Sequence, residues 1–92
     1  MIYEIILTPE AEKHLREWGK SGQKKTLKKI YELFDELRLH PTIGSGQIEQ
    51  LRGNLTGLWS RRITKGARMI YSIEDKKIIV IVLSLKGHYG DK

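Results

Sequence analysis

The chain has 92 residues, 39% of them hydrophobic, and it contains no cysteine. This length predicts one small domain spanning residues 1–92, and the lack of cysteine excludes disulfides and thiolate metal sites. Seventeen Lys and Arg against eleven Asp and Glu give a net charge of +6, which favours a polyanionic partner: nucleic acid, an acidic protein or an anionic membrane surface.

The first half of the chain predicts one strand followed by two helices. Residues 2–7 are rich in isoleucine, as strands are. Thr8 and Pro9 suit the cap and the first position of a helix, which the glycines at 19 and 22 end. A second helix is predicted over residues 23–39, with lysine-rich first turns that form either a solvated face or a surface for phosphate or an acidic partner. Its buried seam is predicted to be Leu27, Ile30, Phe34 and Leu37, with Tyr31 and Leu33 beside it.

The second half of the chain predicts β-structure. Four strands are expected near residues 48–52, 57–64, 67–73 and 77–85, separated by glycine-containing or polar turns. The apolar run at 78–83 predicts a central strand covered on both faces, and it is far too short to span a membrane. With no basic leader before Glu4, we expect no signal peptide. The order β-α-α-β-β-β-β predicts an α+β domain in which two N-terminal helices pack on a mostly antiparallel twisted sheet.

Side-chain alternation along the strands assigns each arginine to one face of the sheet. If Trp59 and Tyr71 face the helices, Arg62 and Arg68 project together from the open side of the sheet. Two guanidinium groups on adjacent strands suit a phosphate, since each can hold two phosphate oxygens. Arg61 falls on the Trp59 face, and we expect it to leave the core at a sheet edge. The alternative for each arginine is an exposed residue that aids solubility.

A carboxylate, an imidazole and a phenol accompany these arginines at Glu49, His88 and Tyr89. Such a set suits RNA, which carries its own nucleophile: a base takes the 2′-hydroxyl proton, cations stabilise the phosphate, and an acid protonates the leaving 5′-oxygen. This route needs no metal or other cofactor, and the three histidines lack metal-ligand spacing. The alternatives are an ordinary surface glutamate and an unremarkable C-terminal tail.

Several sequence blocks carry a family resemblance: Gly44-Ser45-Gly46-Gln47-Ile48-Glu49-Gln50-Leu51, then Asn54-Leu55-Thr56-Gly57-Leu58-Trp59-Ser60-Arg61-Arg62-Ile63, then Arg68-Met69-Ile70-Tyr71, and Gly87-His88-Tyr89. In these blocks, and in order along essentially the whole chain, the sequence strongly resembles the YoeB (Txe/YoeB) toxins of bacterial toxin–antitoxin systems, within the RelE/ParE superfamily. The resemblance implies a microbial-ribonuclease-like fold. It also implies a metal-independent endoribonuclease that cuts messenger RNA in the ribosomal A site and so inhibits translation.

The resemblance also implies roles for single residues. Glu49 matches the general base, His88 the general acid, and Arg68 the arginine that stabilises the transition state. Arg62 and Tyr89 match residues that bind phosphate and orient the substrate. Two further arginines are expected to bind RNA or phosphate: Arg61, and Arg52, which stands where many members have lysine.

The same resemblance implies partners. These are mRNA on the ribosome and an acidic antitoxin of the YefM type, whose C-terminal segment would cover or disturb the catalytic pocket. Operator DNA would be reached only through that complex, a homodimer is compatible with the family, no membrane is involved, and the expected location is the bacterial cytoplasm. Two alternatives stay open: a non-catalytic ParE-like toxin that inhibits a protein target, and a basic nucleic-acid-binding module of the same fold.

Overall fold

A computed structural model describes residues 1–87 of the chain. Along this part the elements are β1 (Glu4–Leu7), α1 (Pro9–Lys20), α2 (Lys24–Leu39), β2 (Glu49–Gln50), β3 (Leu58–Thr64), β4 (Ala67–Glu74) and β5 (Ile79–Gly87). The predicted order β-α-α-β-β-β-β and the α+β class are confirmed.

Local residues define the start of α1 and the turn that separates it from α2. Thr8 caps α1, because its hydroxyl oxygen accepts a hydrogen bond from the amide of Ala11 at 3.1 Å, and Pro9 occupies the first helical position. The chain turns between the helices through Gly22, whose φ of +78° favours glycine. The α2 helix has no side-chain cap at its start, so tertiary packing stabilises it more than its own ends do.

The buried face of α2 differs slightly from the predicted seam. Ile30, Leu33 and Leu37 are fully buried and Phe34 is nearly so. Leu27 lies only half-buried, and Leu33 takes the fully buried place. The helix is therefore rotated toward Leu33 relative to the prediction, because packing against the sheet decides which of several adjacent apolar positions is covered.

The five strands of residues 1–87 form one sheet in the order β1-β5-β4-β3-β2. The β1 strand pairs with β5 in parallel, and the other three pairs are antiparallel. The two helices carry the chain from β1 to β2 at the opposite edge of the sheet, and the antiparallel strands β2 to β5 then lead back across it, which brings β5 beside β1 in parallel. Both helices thus lie on one face, and the opposite face is free to carry functional side chains.

Burial alternates along β5 because the helices cover one face only. Val80, Val82 and Leu85 are fully buried in the core, whereas Ile79 and Ile81 are half-buried. The prediction that this strand is covered on both faces is therefore wrong for the face opposite the helices. Among residues 1–87, no helix has the length and apolar character needed to cross a membrane.

Candidate active site

Arg62 of β3 and Arg68 of β4 are direct partners in the strand register. Trp59 and Tyr71, a neighbouring pair on the same strands, pack in or against the core under the helices. Because side chains alternate along a strand, the two arginines share the face away from the helices, as predicted. Like charges directly opposite each other destabilise a sheet, so this pair is suited to an anion that contacts both guanidinium groups.

Neighbouring groups hold the Arg68 side chain in place. Its Nε donates to the hydroxyl of Ser60 at 2.8 Å, and its Nη2 donates to the backbone carbonyl of Gln47 at 2.6 Å. Only 14% of the side chain is exposed. A guanidinium fixed by two such bonds has little freedom left to lose when it meets a developing charge.

Glu49 lies beside Arg68 on the same face. The short β2 strand pairs with β3, and Glu49 stands opposite Ser60 in that register. Its Oε1 lies 3.7 Å from Nη2 of Arg68, and 45% of the side chain is exposed. That distance is too long for a hydrogen bond, so the carboxylate remains able to accept a proton from a substrate hydroxyl.

Gln47 connects the two arginines. Besides the carbonyl contact to Arg68, its side-chain Oε1 accepts from Nη1 of Arg62 at 3.3 Å. The amide of Arg62 also donates to the carbonyl of Gly46 at 2.5 Å, which ties this segment to β3. Gln47 adopts a φ of +48°, which is unusual for a residue with a Cβ.

Sequence reasoning assigned no role to Gln47 or Ser60. Alternation could have identified Ser60, since it shares the strand face of Arg62. No local pattern identifies Gln47, because its role depends on a backbone conformation that glutamine rarely adopts.

Arg61 points into the protein. Its side chain is fully buried, and its Nη1 lies 2.8 Å from Oε1 of Glu36 on α2. Its Nε donates to the hydroxyl of Tyr71 at 3.1 Å. The prediction that Arg61 leaves the core at a sheet edge is wrong, because a carboxylate and several carbonyls within the fold compensate its buried charge. We therefore do not place Arg61 among the RNA-binding residues.

The partners of Arg61 titrate differently from free side chains. Partial burial acts to raise the pKa of Glu36, but hydrogen bonds from Ser45 and the charges of Arg61 and Lys29 outweigh it, so that pKa lies below its ordinary value. Burial raises the pKa of Tyr71, and Arg61 opposes this only in part. At neutral pH Glu36 is therefore a carboxylate and Tyr71 a neutral phenol.

The remaining predicted site residues are not part of this group. Arg52 is exposed and precedes a short 3-10 turn, and within residues 1–87 it makes no hydrogen bond or ion pair to Arg62, Arg68 or Glu49. The predicted residues His88 and Tyr89 lie outside the described part of the chain. Gly87, which precedes them, is the register partner of Arg68.

Comparisons with known proteins identify the family to which this chain is similar. Residues 7–89 match the family model of the YoeB-like toxin of bacterial type II toxin–antitoxin systems. Toxin YoeB of Escherichia coli K12 is 42% identical over 66 residues, which cover 72% of this chain and 76% of that protein.

Solved structures are similar over nearly the whole chain. A YoeB/ParE toxin from Agrobacterium tumefaciens has a TM-score of 0.86 at 27% identity, covering 94% of this chain and 99% of that one. YoeB in a heterotetrameric YoeB–YefM toxin–antitoxin complex from Staphylococcus aureus has a TM-score of 0.80 at 33% identity, covering 97% of this chain and all of that one.

Proposed function

Because the chain belongs to the YoeB-like toxins of bacterial type II toxin–antitoxin systems, we propose that it is a ribosome-dependent mRNA endoribonuclease. It cuts messenger RNA in the ribosomal A site by metal-independent acid–base catalysis and thereby inhibits translation. The observation that carries this proposal is the grouping of Glu49, Arg62 and Arg68 on the sheet face that the helices leave open.

The proposed reaction uses Glu49 as the general base. Its carboxylate takes the proton of a ribose 2′-hydroxyl, and the 2′-oxygen attacks the neighbouring phosphorus. The bond from phosphorus to the 5′-oxygen breaks, and His88 protonates that oxygen as it leaves. The products are a 2′,3′-cyclic phosphate on one fragment and a 5′-hydroxyl on the other.

The arginines stabilise the phosphate while its charge increases. Arg68 is held by Ser60 and Gln47 before substrate arrives, so little reorganisation is needed in the transition state. Arg62 faces it from the adjacent strand and contacts a second phosphate oxygen, and Tyr89 orients the substrate. Arg52 is kept as a more peripheral phosphate contact, since it is exposed and apart from the group.

The carboxylate distinguishes this proposal from simple nucleic-acid binding. Two arginines alone would serve a module that binds phosphate without reacting. Glu49 beside Arg68 weakens such binding, because its negative charge repels the nucleic-acid backbone. An acid–base reaction requires a base at that place, so the geometry favours catalysis.

We further propose an acidic antitoxin as the protein partner. The solved YoeB–YefM complex from Staphylococcus aureus contains a protein similar to this chain over nearly all of its length. The net charge of +6 would steer an acidic segment toward this chain and speed association. Operator DNA would be bound only through the resulting complex.

Mapping RNA ends in cells tests the catalytic proposal. The chain is expressed from a tight promoter as wild type, Glu49→Ala, His88→Ala or the control Glu74→Ala, which alters an exposed carboxylate at the end of β4. New 5′ ends within translated codons are expected for wild type and the control and not for the two site variants. Growth arrest that persists in both site variants would overturn the catalytic proposal and favour a ParE-like inhibitor.

A purified system tests the dependence on ribosomes. Cleavage is compared between an mRNA bound to ribosomes with an empty A site and the same mRNA free in solution. We expect cutting only in the ribosomal sample. Equal rates in both samples would leave the nuclease assignment standing and overturn the ribosomal one.

A further inference from the structure

We propose that Arg61 is a positioning residue for the nuclease site, acting through the segment 40–47 without touching RNA. By tying this segment to α2 and to the core, Arg61 fixes where Gln47 and Glu49 stand relative to Arg68. The inference rests on the proposed function, since it assigns an effect on the same site.

Every N–H of the Arg61 guanidinium has an acceptor inside the protein. Arginine has five such donors, and five hydrogen bonds use them at a side chain with no exposure. One goes to a phenol and one to a carboxylate, and three go to backbone carbonyls of the segment. The acceptors and distances are Tyr71 Oη at 3.1 Å, Glu36 Oε1 at 2.8 Å, His40 O at 2.6 Å, Ile43 O at 2.9 Å and Ser45 O at 3.4 Å.

The same partners bind the segment a second time. The hydroxyl of Tyr71 donates to the carbonyl of Pro41 at 2.8 Å. The carboxylate of Glu36 accepts from the amide and the hydroxyl of Ser45 at 2.8 and 2.7 Å. Arg61 thus joins two side chains that each hold one end of the segment, and removing it would loosen both ends.

The segment passes so close to this group that a side chain would not fit at one point. A Cβ at Gly44 would lie 2.5 Å from Oε1 of Glu36 and 3.0 Å from Nη1 of Arg61. Its φ of +127° is also one that only glycine adopts readily. The backbone at Gly44 therefore lies against the Arg61–Glu36 pair, which fixes the path of the chain toward the site.

From there the segment reaches the catalytic face in three residues. The carbonyl of Gly46 accepts from the Arg62 amide at 2.5 Å, and Gln47 contacts the guanidinium groups of Arg62 and Arg68. Glu49 follows after one residue. A shift of the segment would therefore change the position of the base and the anchoring of both arginines together.

Arg61→Lys tests the proposal, because lysine keeps the charge but has three donors on one nitrogen, so it cannot bind five acceptors. The matched control is Arg38→Lys, at an exposed arginine of α2 paired with Asp35. Single-turnover cleavage is measured over a range of concentrations of ribosomes programmed with mRNA. Backbone hydrogen exchange of the free proteins is measured in parallel, peptide by peptide.

We expect Arg61→Lys to lower the maximal cleavage rate about 100-fold, the loss typical of a reacting group displaced by about 1 Å, with little change in the half-saturating ribosome concentration. Exchange should speed up in segment 40–47 and stay slow in α1 and β5. Arg38→Lys should match wild type. A folded Arg61→Lys protein that cleaves like wild type, or one with faster exchange throughout the sheet, overturns the proposal.

A second variant covers the case in which Arg61→Lys does not fold, and hydrogen exchange covers the case in which wild type does not cleave. If Arg61→Lys does not fold, Gly44→Ala takes its place, since the added methyl group separates the segment from the Arg61–Glu36 pair at a residue that carries no charge. Wild-type cleavage by a folded Gly44→Ala protein then overturns the proposal. If wild type itself does not cleave, the proposed function fails, and unchanged exchange of segment 40–47 in Arg61→Lys would separately overturn the positioning role.

Discussion

The Nη2 atom of Arg68 lies 3.7 Å from Oε1 of Glu49, and the same guanidinium is held by Ser60 and by the carbonyl of Gln47. The cation of the site is thus fixed on two sides, while the carboxylate is only loosely paired with it. Since 45% of the Glu49 side chain is exposed, this ion pair contributes at most about 1 kcal/mol to stability. The Arg68–Glu49 pair therefore adds little to the stability of the fold, and its geometry suits the proposed catalytic roles of the two residues.

Replacing Arg68 by lysine should cost activity with little change in binding. A single ammonium cannot reach Ser60, Gln47 and a phosphate at once, because it lacks the planar fork of a guanidinium. We expect the single-turnover cleavage rate on ribosomes to fall about 10²- to 10³-fold, as when one donor to a developing oxyanion is removed. The control Lys65→Arg, in the exposed turn between β3 and β4, should cleave normally, and equal activity of both variants would contradict the role of Arg68.

Ser60→Ala should release Arg68 from one of its two anchors. The hydroxyl is buried and accepts from Nε of Arg68 at 2.8 Å, so its loss should lower the free energy of unfolding by about 1 kcal/mol. A similar loss in the transition state would slow cleavage about fivefold. Urea unfolding and single-turnover cleavage measure the two effects. Ser72→Ala, a half-buried serine of β4, is the control, and an undiminished cleavage rate in Ser60→Ala would refute the anchoring role.

Gly87→Ala should disturb the end of β5, next to the predicted general acid. A Cβ at Gly87 would lie 2.5 Å from Cγ1 of Ile70, and the forced shift should cost about 1–3 kcal/mol of stability. Gly87 is the register partner of Arg68, so cleavage should fall as well.

A double-mutant cycle with Ile70→Ala checks the cause. The shortened side chain at position 70 removes the atoms that the new methyl group would strike. Ile70→Ala should therefore lower the free energy of unfolding less in the Gly87→Ala protein than in wild type. Additive losses in urea unfolding would show that Gly87 is needed for a reason other than this contact.

The order of elements and the shared face of Arg62 and Arg68 followed from the sequence because they depend on local rules. Thr8 and Pro9 favour a helix start because threonine is preferred at the cap and proline at the first helical position. Alternation assigns each strand residue to a face without knowledge of the partner strand. These rules sufficed to bring the two arginines to the face opposite Trp59.

The burial of the Arg61 guanidinium and the role of Gln47 could not be predicted from such local rules. Alternation placed Arg61 on the buried face, but whether a guanidinium can remain there depends on acceptors distant in sequence. Glu36, on α2, supplies the carboxylate, and the chain between α2 and β2 supplies the carbonyls. The contacts of Gln47 depend on its positive φ. The glycines near it in the sequence indicate that some residue of this loop adopts such a φ, but they do not show that Gln47 is one.

Acid should weaken the protein partly through Glu36. Hydrogen bonds from Ser45, with the charges of Arg61 and Lys29, outweigh desolvation and hold the pKa of Glu36 below its ordinary value of 4.5. A carboxyl with a lowered pKa in the folded state gives stability that is fully present above its unfolded pKa and is lost as the pH falls through its folded pKa. The contribution of Glu36 should therefore disappear on acidification below about pH 4.5.

Glu36→Gln tests this sign, because glutamine keeps the shape of the side chain and does not titrate. The variant should be less stable than wild type near neutral pH, where it lacks the charge facing Arg61. That gap should narrow as urea unfolding is repeated from about pH 6 to about pH 3, since the other carboxyl groups are protonated in both proteins and only wild type also loses the carboxylate at position 36. Glu32→Gln, one turn earlier on α2 and exposed, should show a small gap at every pH. A gap for Glu36→Gln that stayed constant or widened toward acid would mean that the segment 40–47 is not held by the ionised form of Glu36.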